Sequence, residues 1–195
     1  MAMFRLLNLL SFLVLISFGS LAFSVDLQLH LRTGLVTTSF TGAQNGDFSL
    51  ATSIDGEFEV FYSEQSSLYA NAIIALDPEE AQFRYLFAGG GQKYYFFSKG
   101  RPSRVASDVG SIEMNPRHRF YAGWQVGISQ LILATPTAAL TVQSTLFEYG
   151  GNVGYLYRFF EGMDLAVHFS ATRGTGISSV SVDATVFRLF AGLTF

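Results

Sequence analysis

The sequence predicts an all-β protein, an eight-stranded antiparallel up-and-down transmembrane β-barrel. Apolar and polar residues alternate along eight segments, as expected for strands with two different faces. These segments are about 10–17 residues long, whereas an ordinary strand has roughly 5–6. The chain is 49% hydrophobic with 20 Phe, 9 Tyr and 19 Gly, yet after residue 24 it has no apolar run long enough to cross a bilayer as a helix.

Residues 1–24 are predicted to be a cleaved signal peptide, so that the barrel domain covers residues 25–195. Arg5 is the only charge in this segment, an apolar run follows it, and Ala22 and Ser24 supply the small residues that a signal peptidase reads. The alternative is a retained transmembrane helix, because the run approaches the roughly 18–20 residues that span a bilayer. Polar residues within the run favour cleavage.

The first four predicted strands cover approximately residues 26–40, 48–62, 67–76 and 82–97. The second has the clearest alternation, with large apolar side chains on one face and Asp55, Glu57 and Glu59 on the other. In the fourth, Gly89–Gly91 predict a bulge, because glycines inside a strand often mark one. The alternation therefore does not predict whether the Lys93 side chain points into the barrel or out of it.

The last four predicted strands cover approximately residues 119–133, 144–160, 164–173 and 181–195. Each again has one apolar face. Trp124, on the apolar face of the fifth strand, is predicted to be a lipid-facing or interfacial anchor.

Alternation alone fits a soluble β-sandwich as well as a membrane barrel. Strand length favours the barrel, since a tilted membrane strand needs about 9–11 residues for its lipid-facing part. Aromatic residues lie at the predicted strand ends, namely Phe48, Phe83, Phe147, Tyr62, Phe97, Phe159 and Phe195. At roughly 3.3 Å per residue and a tilt near 40°, these ends are about 30–35 Å apart, which fits two aromatic girdles around an apolar band.

The final strand alternates apolar or small residues up to a terminal aromatic, at Phe187, Leu189, Ala191, Leu193 and Phe195. This pattern resembles the C-terminal assembly signal of bacterial outer-membrane barrels, and the chain after residue 24 resembles the small eight-stranded barrels of the OmpA and OmpX type. The resemblance implies a bacterial outer-membrane location, both ends of the barrel's chain in the periplasm, and a monomer. It also implies outer-membrane lipids, lipopolysaccharide and the barrel-assembly machinery as partners.

In that orientation the segment of residues 98–118 is a periplasmic turn, and it is long for this class. Basic residues are concentrated in and beside it, at Lys99, Arg101, Arg104, Arg117 and Arg119. One interpretation is a contact with phosphates of inner-leaflet lipids or with a periplasmic partner. The other, which the intervening Asp108 and Glu113 favour, is a solvated turn.

Charged residues on the polar faces are predicted to form a network inside the barrel: Arg32, Asp55, Glu57, Glu59, Arg84, Glu148, Arg158, His168 and Arg188. An eight-stranded barrel has an interior just wide enough for side chains to fill. Buried carboxylates there need cations as partners. The pattern predicts a polar plug that closes the barrel, with a narrow gated pore as the alternative.

The stretch His168-Phe169-Ser170 is similar to the His-x-Ser motif of PagL-type lipid A deacylases, which are also eight-stranded barrels. The similarity implies His168 as general base, Ser170 as nucleophile and Asp183 as a stand-in for the orienting acid. Ala171 replaces the Asn that follows in that family, and alternation turns His168 and Ser170 away from lipid. We therefore predict that the protein is not an enzyme, and that it serves a structural or surface-interaction role.

No cofactor or metal is predicted, because the chain has no Cys and its three His are scattered. Without Arg5 the chain has 11 basic and 15 acidic residues, a net charge of −4. This balance gives no reason to expect nucleic-acid binding.

Overall fold

The computed structural model describes residues 26–41, 46–76, 83–101, 103–107, 110–114, 116–134, 141–160, 162–177 and 183–195. The predicted signal peptide lies outside the described residues. No helix in the described part of the chain is long and apolar enough to cross a membrane.

The described residues form ten strands: β1 Leu27–Thr41, β2 Gly46–Phe61, β3 Ser66–Leu76, β4 Phe83–Phe96, β5 Ser103–Ser107, β6 Gly110–Met114, β7 His118–Ala134, β8 Thr141–Phe160, β9 Met163–Gly176 and β10 Asp183–Thr194. Eight of them form a closed antiparallel barrel in the order β1-β10-β9-β8-β7-β4-β3-β2. The predicted eight-stranded up-and-down barrel is confirmed. Strands β5 and β6 form a separate two-stranded hairpin, which the sequence analysis treated as part of a long turn.

Strand β10 closes the barrel against β1. Their pairing runs from His30 opposite Thr194 to Thr41 opposite Asp183. At the end of this seam Leu29 and Phe195 exchange two backbone hydrogen bonds, 3.0 and 2.9 Å long. Closure satisfies the backbone groups that a free sheet edge would leave unpaired.

Burial alternates along the barrel strands, as β3 illustrates from end to end. The outward side chains are mostly large and apolar, and Ile54, at 67% exposed, is typical of them. The inward side chains are buried and include most of the charged residues of the barrel. Apolar exposure on this scale and in this periodic arrangement is what a lipid-covered barrel requires.

Strand β4 corrects the sequence analysis in two ways. Its register with β3 and with β7 is continuous through Gly89–Gly91, so the predicted bulge is absent from this described strand. The alternation therefore continues unbroken from Tyr85 to Lys93, both of which are buried inside, whereas Arg84 is exposed on the outer face. Both faces of β4 are partly apolar, which is why its phase could not be read from hydrophobicity.

Candidate functional site

The centre of the barrel interior holds a buried ion-pair network built on Glu57 and Glu59. Strand alternation points these two carboxylates, two residues apart on β2, toward the same interior. From β4, Lys93 Nζ donates to Glu57 Oε1 and, over 2.8 Å, to Glu59 Oε2. From the neighbouring β1, Arg32 Nη2 donates to Glu57 Oε2 over 2.8 Å. All four side chains are fully buried.

Further hydrogen bonds extend this network in both directions. Arg32 Nε donates to Asp55 over 2.7 Å, and Asn71 donates to the other oxygen of Asp55 over 3.2 Å. His30 Nε2 lies 2.8 Å from Glu59, and its Nδ1 lies 2.7 Å from the Thr194 hydroxyl. Strands β1, β2, β3, β4 and β10 are thus tied together through one set of polar contacts across the barrel.

His30, Glu57 and Glu59 offer three ligand atoms within 4.8 Å of one another, a spacing that a metal ion could use. Lys93 Nζ, however, already binds one oxygen of each carboxylate. A cation would have to displace the ammonium group. The arrangement is therefore that of an ion-pair network.

A second buried network lies on the β8, β9 and β10 side. Arg188 donates to Glu148 and to the Tyr85 hydroxyl, and Tyr85 donates to Glu148 over 2.7 Å. Thr172 donates to the other oxygen of Glu148 over 2.7 Å. The Arg188 guanidinium also lies 4.5 Å from the centre of the Phe87 ring, a cation–π contact.

A third set of contacts closes the barrel end at which Asp26 and Phe195 lie. Arg119, fully buried, donates to Asp164 and to the backbone carbonyl of Gly100. Arg158 donates to the other oxygen of Asp164 over 2.9 Å. A Cβ at Gly100 would lie only 2.5–2.6 Å from ring atoms of Tyr95 and Phe61, so the backbone at Gly100 lies directly on these interior rings.

The predicted basic turn is therefore divided among different environments. Lys99 pairs with Glu64 at 3.0 Å, and Arg101 pairs with Asp26 at 3.1 Å. Arg117 is exposed, and the side chain of Arg104 lies outside the described part of the structure. Arg119 lies in β7, within the bounds of the predicted fifth strand, but its side chain points into the barrel and pairs with Asp164 instead of belonging to a basic turn.

The barrel interior also contains two apolar clusters that the sequence pattern did not predict. The larger one comprises Val36, Ala51, Ile73, Ala75, Tyr85, Phe87, Leu131, Leu146, Ala184, Val186 and Phe190. The smaller one comprises Phe61, Tyr95, Tyr121, Leu156 and Ala166. By strand position the smaller cluster lies near the barrel end that holds Asp26, and the larger cluster lies toward the opposite end. Glu57 lies between the two clusters. A signal was present, because apolar residues recur on the polar face of several predicted strands.

The structure places eight of the nine predicted interior residues on the inward face, with Arg158 half-buried at the barrel end. Arg84 lies on the outer face and takes no part in the buried contacts. Lys93, left open in the sequence analysis, is the principal cation of the central network. His30 and Asp164, which were not predicted to belong to the network, are interior partners as well.

His168 and Ser170 of the deacylase-like motif each contact other side chains of the barrel interior. His168 Nδ1 lies 2.7 Å from the Tyr121 hydroxyl, and Ser170 accepts a hydrogen bond from Arg188 over 3.4 Å. Both side chains are buried inside the barrel. Asp183 pairs with Thr175, seven residues beyond His168 along β9. The acid is thus remote from the histidine, and the hydroxyl does not face lipid.

Comparisons with solved structures show the fold of small outer-membrane barrels. Neisserial surface protein A (NspA) has a TM-score of 0.58 and 10% sequence identity, over 85% of this chain and 95% of that one. The outer membrane protein OprG from Pseudomonas aeruginosa has a TM-score of 0.51 and 13% identity, over 87% of this chain and 95% of that one. No protein-family model matches the chain, and no curated protein sequence matches it.

Proposed function

We propose that the protein is an integral barrel of a bacterial outer membrane with a closed interior, acting in envelope structure or surface interaction rather than as an enzyme. The observation that carries the closed interior is the layered filling of the barrel. The central network around Glu57 lies between the two apolar clusters, and the side chains of all three layers are buried.

This layering opposes ion conduction for two reasons. The charges at the centre are already paired, so they offer no vacant site to a passing ion. An ion would also have to pass the buried rings of Phe87 and Phe190 on one side and of Tyr95 and Phe61 on the other. The buried charges beside Phe87, Arg188 and Glu148, are already paired with each other. In a barrel of only eight strands such layers leave little room for water.

The proposed location rests on the exterior. Apolar side chains cover the outward face of the described barrel strands, and hydrocarbon is the environment that stabilises such a face. The likeness in fold to a neisserial surface protein and to an outer membrane protein of Pseudomonas supports the same location. It also supports the surface role.

Conductance in planar lipid bilayers tests the closed interior. Purified protein, with its folded state verified by the different gel mobilities of unheated and boiled samples, is expected to give no sustained current. Glu57→Gln serves as the matched variant, because it removes a central charge while keeping nearly the same shape. Sustained conductance of the native protein that Glu57→Gln abolishes would overturn the proposal in favour of a gated pore.

The absence of lipid A hydrolysis is tested separately. Mass spectra of lipid A from cells with and without the expressed protein are expected to be the same. Loss of a 3-hydroxy acyl chain in cells with the native protein, but not in cells with Ser170→Ala, would assign the enzyme function instead.

A further inference from the structure

One side of the barrel carries a continuous set of aromatic rings at the end where Asp26 and Phe195 lie. We call it the aromatic rim; it consists of Phe96, Phe97, His118, Phe120, Tyr155 and Tyr157. Phe120 contacts Tyr155 with ring centres 4.7 Å apart, and Phe97 contacts both Phe96 and Phe120 at 5.0 and 6.4 Å. His118 packs against Tyr157 at 5.3 Å. The rim therefore spans the outer edge of β4, β7 and β8.

Phe97 has a backbone conformation that is unfavourable for a residue with a bulky side chain. Its φ is +67°, and it is the only described non-glycine residue with a positive φ. A bulky residue in this region is strained, whereas glycine adopts it readily. Phe97 is also 91% exposed, so its contacts with Phe96 and Phe120 bury little of its side chain. A contact outside the chain would account for a phenylalanine at this position.

Next to the rim in the chain, Arg117 is a cation with no acidic partner among the described residues. At this end of the barrel Lys99, Arg101, Arg119 and Arg158 each pair with an acidic side chain. The exposed side chain of Arg117 has no such partner among the described residues, although its carbonyl accepts a backbone hydrogen bond from Arg158.

His118, next to Arg117 in the chain, adds a second donor. Its Nδ1 lies 2.7 Å from the Tyr155 hydroxyl. When that hydroxyl donates to Nδ1, the neutral ring carries its proton on Nε2, for which the described residues provide no acceptor. Arg117 and His118, adjacent in the chain, thus have side-chain donors with no acceptor among the described residues, and the His118 ring packs within the aromatic rim.

We propose that the aromatic rim binds an anionic phospholipid of the leaflet on the Asp26 side of the barrel. The phosphodiester accepts hydrogen bonds from Arg117 and His118, while the glycerol and upper acyl chains pack on Phe97 and Phe120. Aromatic rings prefer the membrane interface, and a guanidinium beside them favours a negatively charged headgroup. The inference rests on the proposed membrane location but is independent of whether the interior conducts ions.

Native mass spectrometry of the detergent-solubilised full chain, titrated with phosphatidylglycerol or with phosphatidylethanolamine, tests the site. We expect saturable binding with preference for phosphatidylglycerol, and Arg117→Gln is expected to weaken that binding about fivefold. Arg173→Gln is the matched control, because Arg173 is also exposed and unpaired among the described residues but lies toward the other end of β9. It is expected to leave binding unchanged.

Phe97→Gly separates lipid binding from folding. Glycine accepts the positive φ, so the variant is expected to unfold at an equal or higher urea concentration than the native protein while binding the lipid more weakly. Equal losses for Arg117→Gln and Arg173→Gln, or equal affinity for the two lipids, would overturn the site and leave only non-specific attraction. A chain that stays soluble without detergent would instead refute the membrane location itself.

Discussion

Removal of the Lys93 charge should destabilise the barrel, because buried carboxylates lose a cation that pairs with them. Lys93 is fully buried and binds both Glu57 and Glu59, the latter at 2.8 Å. Its ammonium group also lies 4.9 and 4.6 Å from the ring centres of Tyr69 and Tyr121. Lys93→Met keeps the length and the apolar part of the side chain and removes the charge. The two carboxylates then lack their common partner.

The expected loss of stability depends on the hydrogen bonds that Glu57 and Glu59 keep when Lys93 is replaced. Breaking a buried ion pair by removing one partner typically costs about 3–5 kcal/mol. Glu59 keeps its hydrogen bonds from Ser67 and Tyr95, and Glu57 keeps the bond from Arg32. We therefore expect Lys93→Met to lower the free energy of unfolding by about 3 kcal/mol, the lower end of that range.

The assay is equilibrium unfolding in urea with the protein inserted in lipid vesicles. The chain has a single Trp, and Trp124 is half-exposed on the outer face, so its fluorescence reports contact with lipid. Lys99→Met is the control, because the exposed pair of Lys99 with Glu64 should contribute about 1 kcal/mol or less. In the double variant Lys93→Met/Glu59→Gln, part of the loss should be recovered, since one uncompensated carboxylate is removed. A Lys93→Met effect as small as that of Lys99→Met would refute the central role of this ion-pair network.

Two further pairs of substitutions test the packing of the interior and the close approach of neighbouring strands. Phe87→Ala should lower the free energy of unfolding by about 3–5 kcal/mol, because it opens a cavity in the larger apolar cluster. Phe87→Leu keeps most of the volume and should lower it by about 1.5 kcal/mol or less. Equal urea midpoints for the two variants would contradict a packed interior. Gly91→Ala should destabilise by about 1–3 kcal/mol because the new Cβ overlaps the carbonyl oxygen of Trp124. Gly56→Ala is its control, since nothing lies within 4 Å of a Cβ there, and a larger loss at Gly56 than at Gly91 would show that the close approach is not what requires glycine.

Local alternation was sufficient to predict the strands and most of their facings. On β2, for example, Asp55, Glu57 and Glu59 share one face because side chains alternate with a period of two, whatever the partner strand is. The same reasoning placed Arg32, Glu148, His168 and Arg188 inside, where the structure has them. It failed for Arg84, because β4 carries aromatic residues on its inner face as well as on its outer one.

The alternation pattern did not predict the β5–β6 hairpin or the contacts that close the barrel end, and the reason is different. Residues 98–118 show no long alternation, so the sequence indicated only a basic turn. Arg119 was grouped with that turn by proximity in sequence, yet its partner Asp164 is 45 residues away. Only the pairing of β7 with β8 and of β8 with β9 brings the two side chains to the same end of the barrel.

By itself, the sequence determined that this chain forms long two-faced strands, eight of which make a barrel with an apolar exterior, because that information is local and repeats every two residues. The tertiary structure decided which interior groups meet: Lys93 with carboxylates 34 and 36 residues away, and Arg188 with Glu148, 40 residues away. It also decided that aromatic residues pack inside the barrel. These outcomes depend on strand register and closure, which set distances between residues remote in the chain and which no single segment encodes.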